Sequence, residues 1–354
     1  MKRIFFYLFP VFLAVTLASC VREPGDMPVG GEGGPANVYF QIGLDTKASA
    51  EPSDGALGNV EVLLFDEESG ALEAARSVNF NGDSSGAVEL NDVRLGRTYV
   101  CRVVANVRNA SGAAVSFSGA SSVDDVDDYV LSLPAYSGNR IPMWGTTPGG
   151  TVTFSSASKT ASVVLTRAAS RIRVTKVTAN FPDHIKTKSA SVTGIYIYNA
   201  PGRYNLGLTA PDSNVYYHVS GFSNTDDSVL GSFSPYVGER ITSNNVISGN
   251  GTFSSPRWFM VCPHEAFYPS VPEDATYITI EVTIDGTPYY YGIPLTDAAS
   301  NPDGLLPNYQ YVISNVKLTD YGNTEPPGLI DKDAISVSIS VDPWHNGFDK
   351  EVDF

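Results

Sequence analysis

The sequence predicts an all-β protein, and three observations support this fold class. Apolar residues recur at every second position in short runs, the period of a strand that buries one face. Such runs include residues 60–64, 100–105, 171–175 and 277–284. Turn-forming pairs separate the runs, among them Asp54-Gly55, Asn81-Gly82 and Asp285-Gly286. Helical periodicity is scarce, and short strands separated by turns are typical of β-sandwiches.

The best helical stretch covers residues 122–131, where a serine precedes several aspartates. Serine is a good helix cap, and acidic residues suit the first helical turn. We therefore expect one short helix there, within a protein otherwise built from strands.

Length and charge limit the number of domains and the class of partner. A chain of 354 residues suggests about two domains, and strand runs end and restart near Ala168. The formal net charge of −15 argues against nucleic acid and anionic lipid surfaces as partners, since both need basic patches. The four histidines and three cysteines predict neither a metal site nor a cysteine-rich scaffold.

The N-terminus predicts export. Lys2 and Arg3 precede an apolar run over residues 4–17, which suits a signal peptide and is shorter than the ~20 residues of a spanning helix. The run ends in L-A-S-C, typical of a bacterial lipobox in which Cys20 receives the lipid. An ordinary secretory signal with a cysteine near its cleavage site is the alternative. Residues 24–35 are rich in Gly and Pro and predict a flexible tether.

The C-terminal part contains a regular amphipathic strand. Its apolar residues are Ile335, Val337, Ile339 and Val341, with serines between them and Trp344 shortly after. Burial of four such side chains contributes roughly 6–12 kcal/mol, so this strand is expected to be buried. It either completes its own domain or fills a groove in another subunit by strand addition. The pattern leaves both alternatives open.

Patterns that carry catalysis or binding are weak. One G-x-S-x-G match at residues 82–86 resumes strand alternation where a nucleophile elbow needs a helix, so it predicts a turn. The aspartates at residues 124–128 lack the glycine and distal glutamate of an EF-hand loop. Trp258 and the tyrosines 289–291 fit a sugar-stacking platform or, more simply, core packing. Cys101 and Cys262 either pair in an oxidising compartment or remain buried thiols.

Several motifs, in order along nearly the whole chain, resemble the Bacteroidales fimbrillin family (FimA/Mfa-like, type V pilins). They are the lipobox at 17–20, the strand at 38–44 with NVEVLLFDEESGAL after it, the tyrosine strand at 98–106, the P-M-x-G loop at 141–145, the inter-domain passage at 165–172, the N-x-x-Y-x-V strand start at 306–312 and Trp344.

The resemblance implies two transthyretin-like Greek-key β-sandwich domains in tandem, with no enzyme activity and no cofactor. The implied organisation is a lipoprotein signal peptide over 1–19, a flexible tether over 20–36, an N-terminal sandwich over 37–167, a C-terminal sandwich over 168–325 and a C-terminal strand segment over 326–354.

The resemblance also implies a mechanism of assembly. A trypsin-like protease cuts between Lys47 and Ala48, and the first strand leaves with the lipid. The C-terminal strand of another subunit fills the groove, and repetition builds a fimbria at the cell surface. The displaced apolar set is Val38, Phe40, Ile42 and Leu44, and the donor set is Ile335, Val337, Ile339 and Val341, followed by Trp344.

The implied partners are other pilin subunits, the protease and, before processing, the outer membrane through the lipid on Cys20. A tip subunit would also contact a host protein or glycan. Two alternatives remain. One is a non-polymerising pilus anchor or tip subunit. Lys47 favours the anchor because better-known family members have arginine at the cleavage position, whereas the long C-terminal strand counts against it because an anchor need not donate a strand. The other is a glycan-binding surface lipoprotein with exposed aromatic residues.

Overall fold

The computed structural model describes residues 34–44, 56–109, 111–132, 141–198, 200–209, 216–217, 238–263, 276–295, 305–325 and 335–343. For residues 198, 200, 201, 216, 217, 294 and 335–343 it describes the backbone alone.

The described residues up to Arg167 form nine strands and one short helix. They are β1 (Pro35–Leu44), β2 (Asn59–Asp66), β3 (Leu72–Asn79), β4 (Ser85–Arg94), β5 (Thr98–Ala105), α1 (Asp124–Asp127), β6 (Val130–Ser132), β7 (Met143–Gly145), β8 (Thr151–Thr153) and β9 (Thr160–Arg167). All of these strands except β6 belong to one eight-stranded sheet in the order β3-β2-β5-β7-β9-β1-β4, with β8 beside β5.

The strand β9 joins two parts of this sheet. Its residues 160–165 pair in parallel with β1, whereas its last two residues pair antiparallel with β7. β1 also pairs antiparallel with β4 along nearly its whole length. β1 therefore lies inside the sheet, between β9 and β4.

The remaining described residues form thirteen strands and a second short helix. They are β10 (Ser170–Val174), β11 (Val177–Ala179), α2 (Asp183–Lys186), β12 (Ala190–Tyr198), β13 (Ala200–Pro201), β14 (Arg203–Asn205), β15 (Tyr216–Tyr217), β16 (Gly238–Arg240), β17 (Thr252–Phe253), β18 (Arg257–Val261), β19 (Tyr277–Ile284), β20 (Thr287–Pro294), β21 (Tyr309–Leu318) and β22 (Ile335–Pro343).

These strands make a six-stranded and a four-stranded sheet. The first has the order β17-β11-β21-β10-β18 with β22 beside β21, and the second has the order β16-β12-β19-β20. Two short pairs complete the topology, β13 with β15 and β6 with β14. The pair of β6 and β14 joins segments from the two sides of Ala168.

The all-β prediction is confirmed, but some strands bury both faces where alternation predicts one. β2 is the clearest case, since every residue from Val60 to Asp66 is buried. A loop covers its second face: the Glu61 carboxylate accepts bonds from the Ser116 hydroxyl at 2.9 Å and the Phe117 amide at 2.8 Å. Alternation indicates the core-facing side of a strand, but it does not show whether a distant loop covers the other side.

The expected helix over 122–131 is wrong in extent. Only Asp124–Asp127 is helical, and no serine side chain caps it. Asp125 instead accepts hydrogen bonds from the backbone amides of Ser121 and Ser122, at 2.7 and 3.2 Å. The following residues become β6, because they find a partner strand in β14. This tertiary pairing overrides a weak helical preference.

Sheet membership changes at Ala168, apart from the pair of β6 and β14. Residues 33–354 nevertheless form one compact unit by their contacts. The domain ranges and the transthyretin-like assignment therefore stay predictions. Neither α1 nor α2, the helices of the described residues, is long and apolar enough to cross a membrane.

Candidate functional site

The candidate site is the groove between β4 and β9, which β1 occupies. Backbone pairs run from Tyr39 to Leu44 on the β9 side and from Pro35 to Gly43 on the β4 side. The Tyr39 amide also donates to the Lys159 carbonyl at 2.8 Å. If β1 left, β4 and β9 would each expose an unpaired edge, a template for another strand.

The inner face of β1 belongs to the core, as its alternation predicts. Val38 and Phe40 are 0% exposed and Ile42 is 2% exposed. The Phe40 ring packs edge-on against Phe154, with centroids 5.7 Å apart. Leu44, the fourth predicted residue, is only half-buried because it ends the strand. Three of the four predicted side chains are thus fully buried in the groove, and the fourth is only partly buried.

The outer face of β1 is held by one carboxylate that the sequence did not indicate. Oε1 of Glu89 accepts hydrogen bonds from Asn37 Nδ2 at 2.7 Å and from the Tyr39 hydroxyl at 3.0 Å. The hydrogen bond to Glu89, and then its negative charge, raise the pKa of Tyr39 above its ordinary value. The role of Glu89 depends on the register between β1 and β4, which no local pattern specifies.

The predicted cleavage position lies between two anchored segments. Lys47 and Ala48 fall in residues 45–55, outside the described residues, as does the lipidation residue Cys20. Beyond this segment the chain is held again at Leu57, whose amide donates to the Asp83 carbonyl at 3.1 Å. Leu57 itself is 0% exposed.

Asn106 completes this second anchor. Its Oδ1 accepts from the Gly58 amide at 2.8 Å, while its Nδ2 donates to the carbonyls of Ala56 and Ile141 at 2.9 and 3.1 Å. Asn106 has a φ of 60°, a left-handed conformation that asparagine tolerates better than most residues. A cut in residues 45–55 would therefore separate β1 covalently and leave β2 anchored.

The C-terminal strand is placed at the edge of its own six-stranded sheet. β22 pairs antiparallel with β21. Pro343 lies opposite Tyr309 at one end and Ile335 lies opposite Leu318 at the other, with a bulge in β21 between Ser314 and Lys317. β21 is the one described strand with which it pairs. Positions 339 and 341 pair with Ile313 and Tyr311, which are fully buried. Trp344 lies outside the described residues.

The predicted aromatic platform is divided between core and surface. Tyr290 and Tyr291 are buried, whereas Tyr289 is half-buried. Tyr289 lies against Tyr321, with ring centroids 4.9 Å apart and Lys188 Nζ 5.6 Å from the centre of the Tyr321 ring. Trp258 lies elsewhere, on β18, with the Arg171 and Arg173 guanidinium groups 4.7 and 4.4 Å from its ring centre. Core packing thus accounts for two of the four predicted residues.

The other candidates have structural roles. The G-x-S-x-G match begins in the turn before β4 and ends within that strand. Asp127 of the acidic group binds Arg102 in a bidentate pair at 2.7 and 2.8 Å and accepts from Trp144 Nε1 at 2.9 Å. No group of metal ligands occurs among the described residues. Cys101 and Cys262 are both buried and do not form a disulfide.

Comparisons with known proteins support a fold, not a family. No protein-family model and no curated protein matches the chain.

Several solved structures share its fold. One of them, a candidate cell adhesion protein from Bacteroides eggerthii, matches with a TM-score of 0.62 and 17% identity, over 89% of this chain and 97% of that one. The fimbrillin FimA from Porphyromonas gingivalis matches with a TM-score of 0.59 and 15% identity, over 89% and 99%. The tip fimbrial protein Mfa3 from the same organism matches with a TM-score of 0.50 and 15% identity, over 87% and 100%. The chain therefore has the all-β fold of fimbrillins and cell adhesion proteins of Bacteroidales, as the resemblance of its motifs predicts.

Proposed function

We propose that this protein is a structural subunit of a cell-surface fimbria that polymerises when proteolysis allows its first strand to be replaced. The placement of β1 is the observation that carries this proposal. β1 lies inside a sheet, contributes three buried side chains, and is followed by a segment that ends at a separately anchored strand. Such a strand can be cut free while the rest of the sheet stays in place.

The energetics require that the groove be refilled. Full burial of an apolar side chain stabilises by roughly 1.5–3 kcal/mol, so Val38, Phe40 and Ile42 together contribute roughly 5–9 kcal/mol. This is comparable with the whole stability of many domains, about 5–15 kcal/mol. A subunit that loses β1 is therefore unstable until another alternating strand enters.

The proposed replacement is β22 of another copy. Its residues Ile335, Val337, Ile339 and Val341 repeat the two-residue spacing of β1. β22 must first leave β21, where it is an edge strand with one described partner, whereas β1 has two. Because donor and groove are different surfaces of one chain, the contact is head-to-tail and propagates into a filament.

Export and processing complete the proposal. The chain is exported as an outer-membrane lipoprotein through Cys20, and a trypsin-like protease then cuts between Lys47 and Ala48. The domains are transthyretin-like sandwiches over 37–167 and 168–325, with Trp344 ending the donor segment. The fold shared with FimA supports this proposal, and so does the order of the motifs.

A surface lipoprotein that does not polymerise is the second candidate. The pairing of β22 with β21 in its own chain favours it, because an anchor or tip subunit keeps its last strand. A glycan binder is another form of this candidate, in which the partly exposed rings of Tyr289 and Tyr321 beside Lys188 would stack on a sugar.

N-terminal sequencing of the protein from sheared filaments and from membranes separates the candidates. Ala48 as the first residue, in large detergent-resistant assemblies, supports the polymerising subunit. A lipidated Cys20 found only in the membrane fraction contradicts it and favours the anchor or glycan binder. Saturable binding of the monomer to a glycan array, lost in Tyr321→Ala, would select the latter.

Substitutions in β22 test the donor role. We expect the double change Val337→Asp and Ile339→Asp to abolish assembly after cleavage, because charged groups cannot enter an apolar groove. The uncleaved monomer should keep its fold. Ser336→Asn with Ser338→Asn is the matched control on the alternate positions. Unfolding of the uncleaved monomer, or assembly of the Asp variant, would contradict the donor role.

A further inference from the structure

We propose that Glu89 is the residue by which the groove recognises the outer face of the strand that fills it. Before cleavage this strand is β1, and after cleavage it is β22 of another copy. The first half of the inference rests on the contacts of β1 alone, while the second half rests on the proposed function.

The contacts of Glu89 place it where it can distinguish one strand from another. It lies on β4 directly opposite Tyr39, and its Oε1 accepts from both Asn37 and Tyr39, two residues apart on the outer face of β1. The next outward pair, Gln41 and Ala87, provides no such acceptor because the side chain of alanine has no polar atom. On the β9 side, the residues opposite Tyr39 and Gln41 are Thr160 and Ser162, which are uncharged. Among the described residues, the side-chain hydrogen bonds of Asn37 and Tyr39 on the outer face thus converge on one half-buried carboxylate.

The apolar side of the groove alone cannot select one strand over another. It requires a strand with apolar residues at every second position, and many strands of this chain have that pattern. Hydrogen bonds to an ionised group are roughly twice as strong as neutral ones, so a carboxylate beside the groove favours a strand with donors on its outer face. It also disfavours a strand with an acidic side chain there, through repulsion between like charges.

β22 meets this requirement by its sequence. If its Ile and Val residues occupy the inner positions, the residues between them, Ser336, Ser338 and Ser340, occupy the outer ones. A serine hydroxyl opposite Glu89 can donate to it. β1 offers Glu89 two donors that lie two residues apart, and successive serines of β22 have the same spacing. Glu89 can therefore bind either strand, and its bonds to β1 also slow the release of β1 after cleavage.

The test uses the full chain, cut with trypsin in residues 45–55, and follows the release of the labelled β1 fragment. In Glu89→Ala we expect release about tenfold faster than in the wild type, since hydrogen bonds to a charged group are lost, with Glu89→Gln between them. Glu73→Ala, an exposed glutamate on β3, is the matched control and should match the wild type. Equal release in Glu89→Ala and the wild type, within twofold, would overturn the first half.

Synthetic peptides of residues 333–344 test the second half. We expect the peptide in which aspartate replaces Ser336, Ser338 and Ser340 to bind the groove about tenfold more weakly than the natural peptide in the wild type, and this difference to vanish in Glu89→Ala. A difference that persists in Glu89→Ala would overturn recognition by Glu89. If neither peptide displaces β1, the proposed function fails, while the release rates still decide the role of Glu89.

Unfolding of the uncut chain gives a measurement that does not depend on cleavage. Glu89→Ala should lower the urea midpoint further than Glu73→Ala, because only Glu89 bonds to β1. Equal midpoints for the two variants would contradict a role for Glu89 in holding β1.

Discussion

Phe40→Ala offers a direct test of the proposed role of β1, because its effect should depend on the assembly state. Phe40 is 0% exposed and packs edge-on against Phe154 at 5.7 Å. Truncation of a buried phenylalanine costs about 3–5 kcal/mol, of which the ring pair accounts for about 0.5–1.5 kcal/mol. We therefore expect the uncut chain to lose about 3–5 kcal/mol of unfolding free energy, a large share of the stability of a domain.

Urea unfolding, followed by fluorescence and circular dichroism, measures this loss. Gln41→Ala is the matched control: Gln41 is the next residue of β1, exposed on the outer face, and its change should stay within about 0.5 kcal/mol. After cleavage and assembly the Phe40→Ala and wild-type polymers should be equally stable, because β1 is absent from both. A loss below about 1 kcal/mol in the uncut chain, or a difference that persists in the polymer, would refute the reasoning.

Three further predictions concern the residues around the groove and its sheet. Asn106→Ala should lower the unfolding free energy by about 2–4 kcal/mol, since the Gly58 amide and two backbone carbonyls lose their hydrogen-bond partner. Asn106→Gly should lower it less, because glycine suits the φ of 60° at this position. Equal losses of unfolding free energy in the two variants, measured by urea unfolding, would show that backbone strain plays no part. Hydrogen bonds from Ser69 hold the pKa of Asp66 below its ordinary value of 3.8, so the carboxylate stabilises the fold above that pH and loses this effect as the pH falls through the lower pKa of the folded state. The stability difference between Asp66→Asn and the wild type should therefore shrink below about pH 4. A difference that stays constant with pH would contradict this. Burial raises the pKa of Cys101 to about 12, so N-ethylmaleimide at pH 8 should label it only after urea unfolds the chain, and rapid labelling of the native protein would show that the site opens.

Much of the fold was predictable because strand periodicity is local. The inner set of β1 follows from alternation alone, and its first three members are buried. The turn at residues 81–82 follows from its residue types, and Asn81 and Gly82 both have positive φ there. The prediction was wrong where a distant segment decided the outcome, as at α1, which ends early because β6 pairs with β14.

The residues of the candidate site divide along the same line. The predicted residues Val38, Phe40 and Ile42 depend on which face of one strand is apolar, which the sequence shows directly. Glu89 depends on which residue of β4 lies opposite Tyr39. Asn106 lies in the tyrosine-strand motif, but its bonds to Ala56 and Gly58 join segments that are far apart along the chain.

The sequence by itself determined that this protein consists mainly of strands, where turns such as those at residues 81–82 and 285–286 lie, and which side of the first and last strands is apolar. These properties depend on residues within a few positions of one another. Only the tertiary structure decided that β1 lies between β4 and β9, that Glu89 binds its outer face, and that β22 pairs with β21. Strand pairing joins residues that are distant in the chain, and its register depends on how all the strands share one core, so no local pattern contains it.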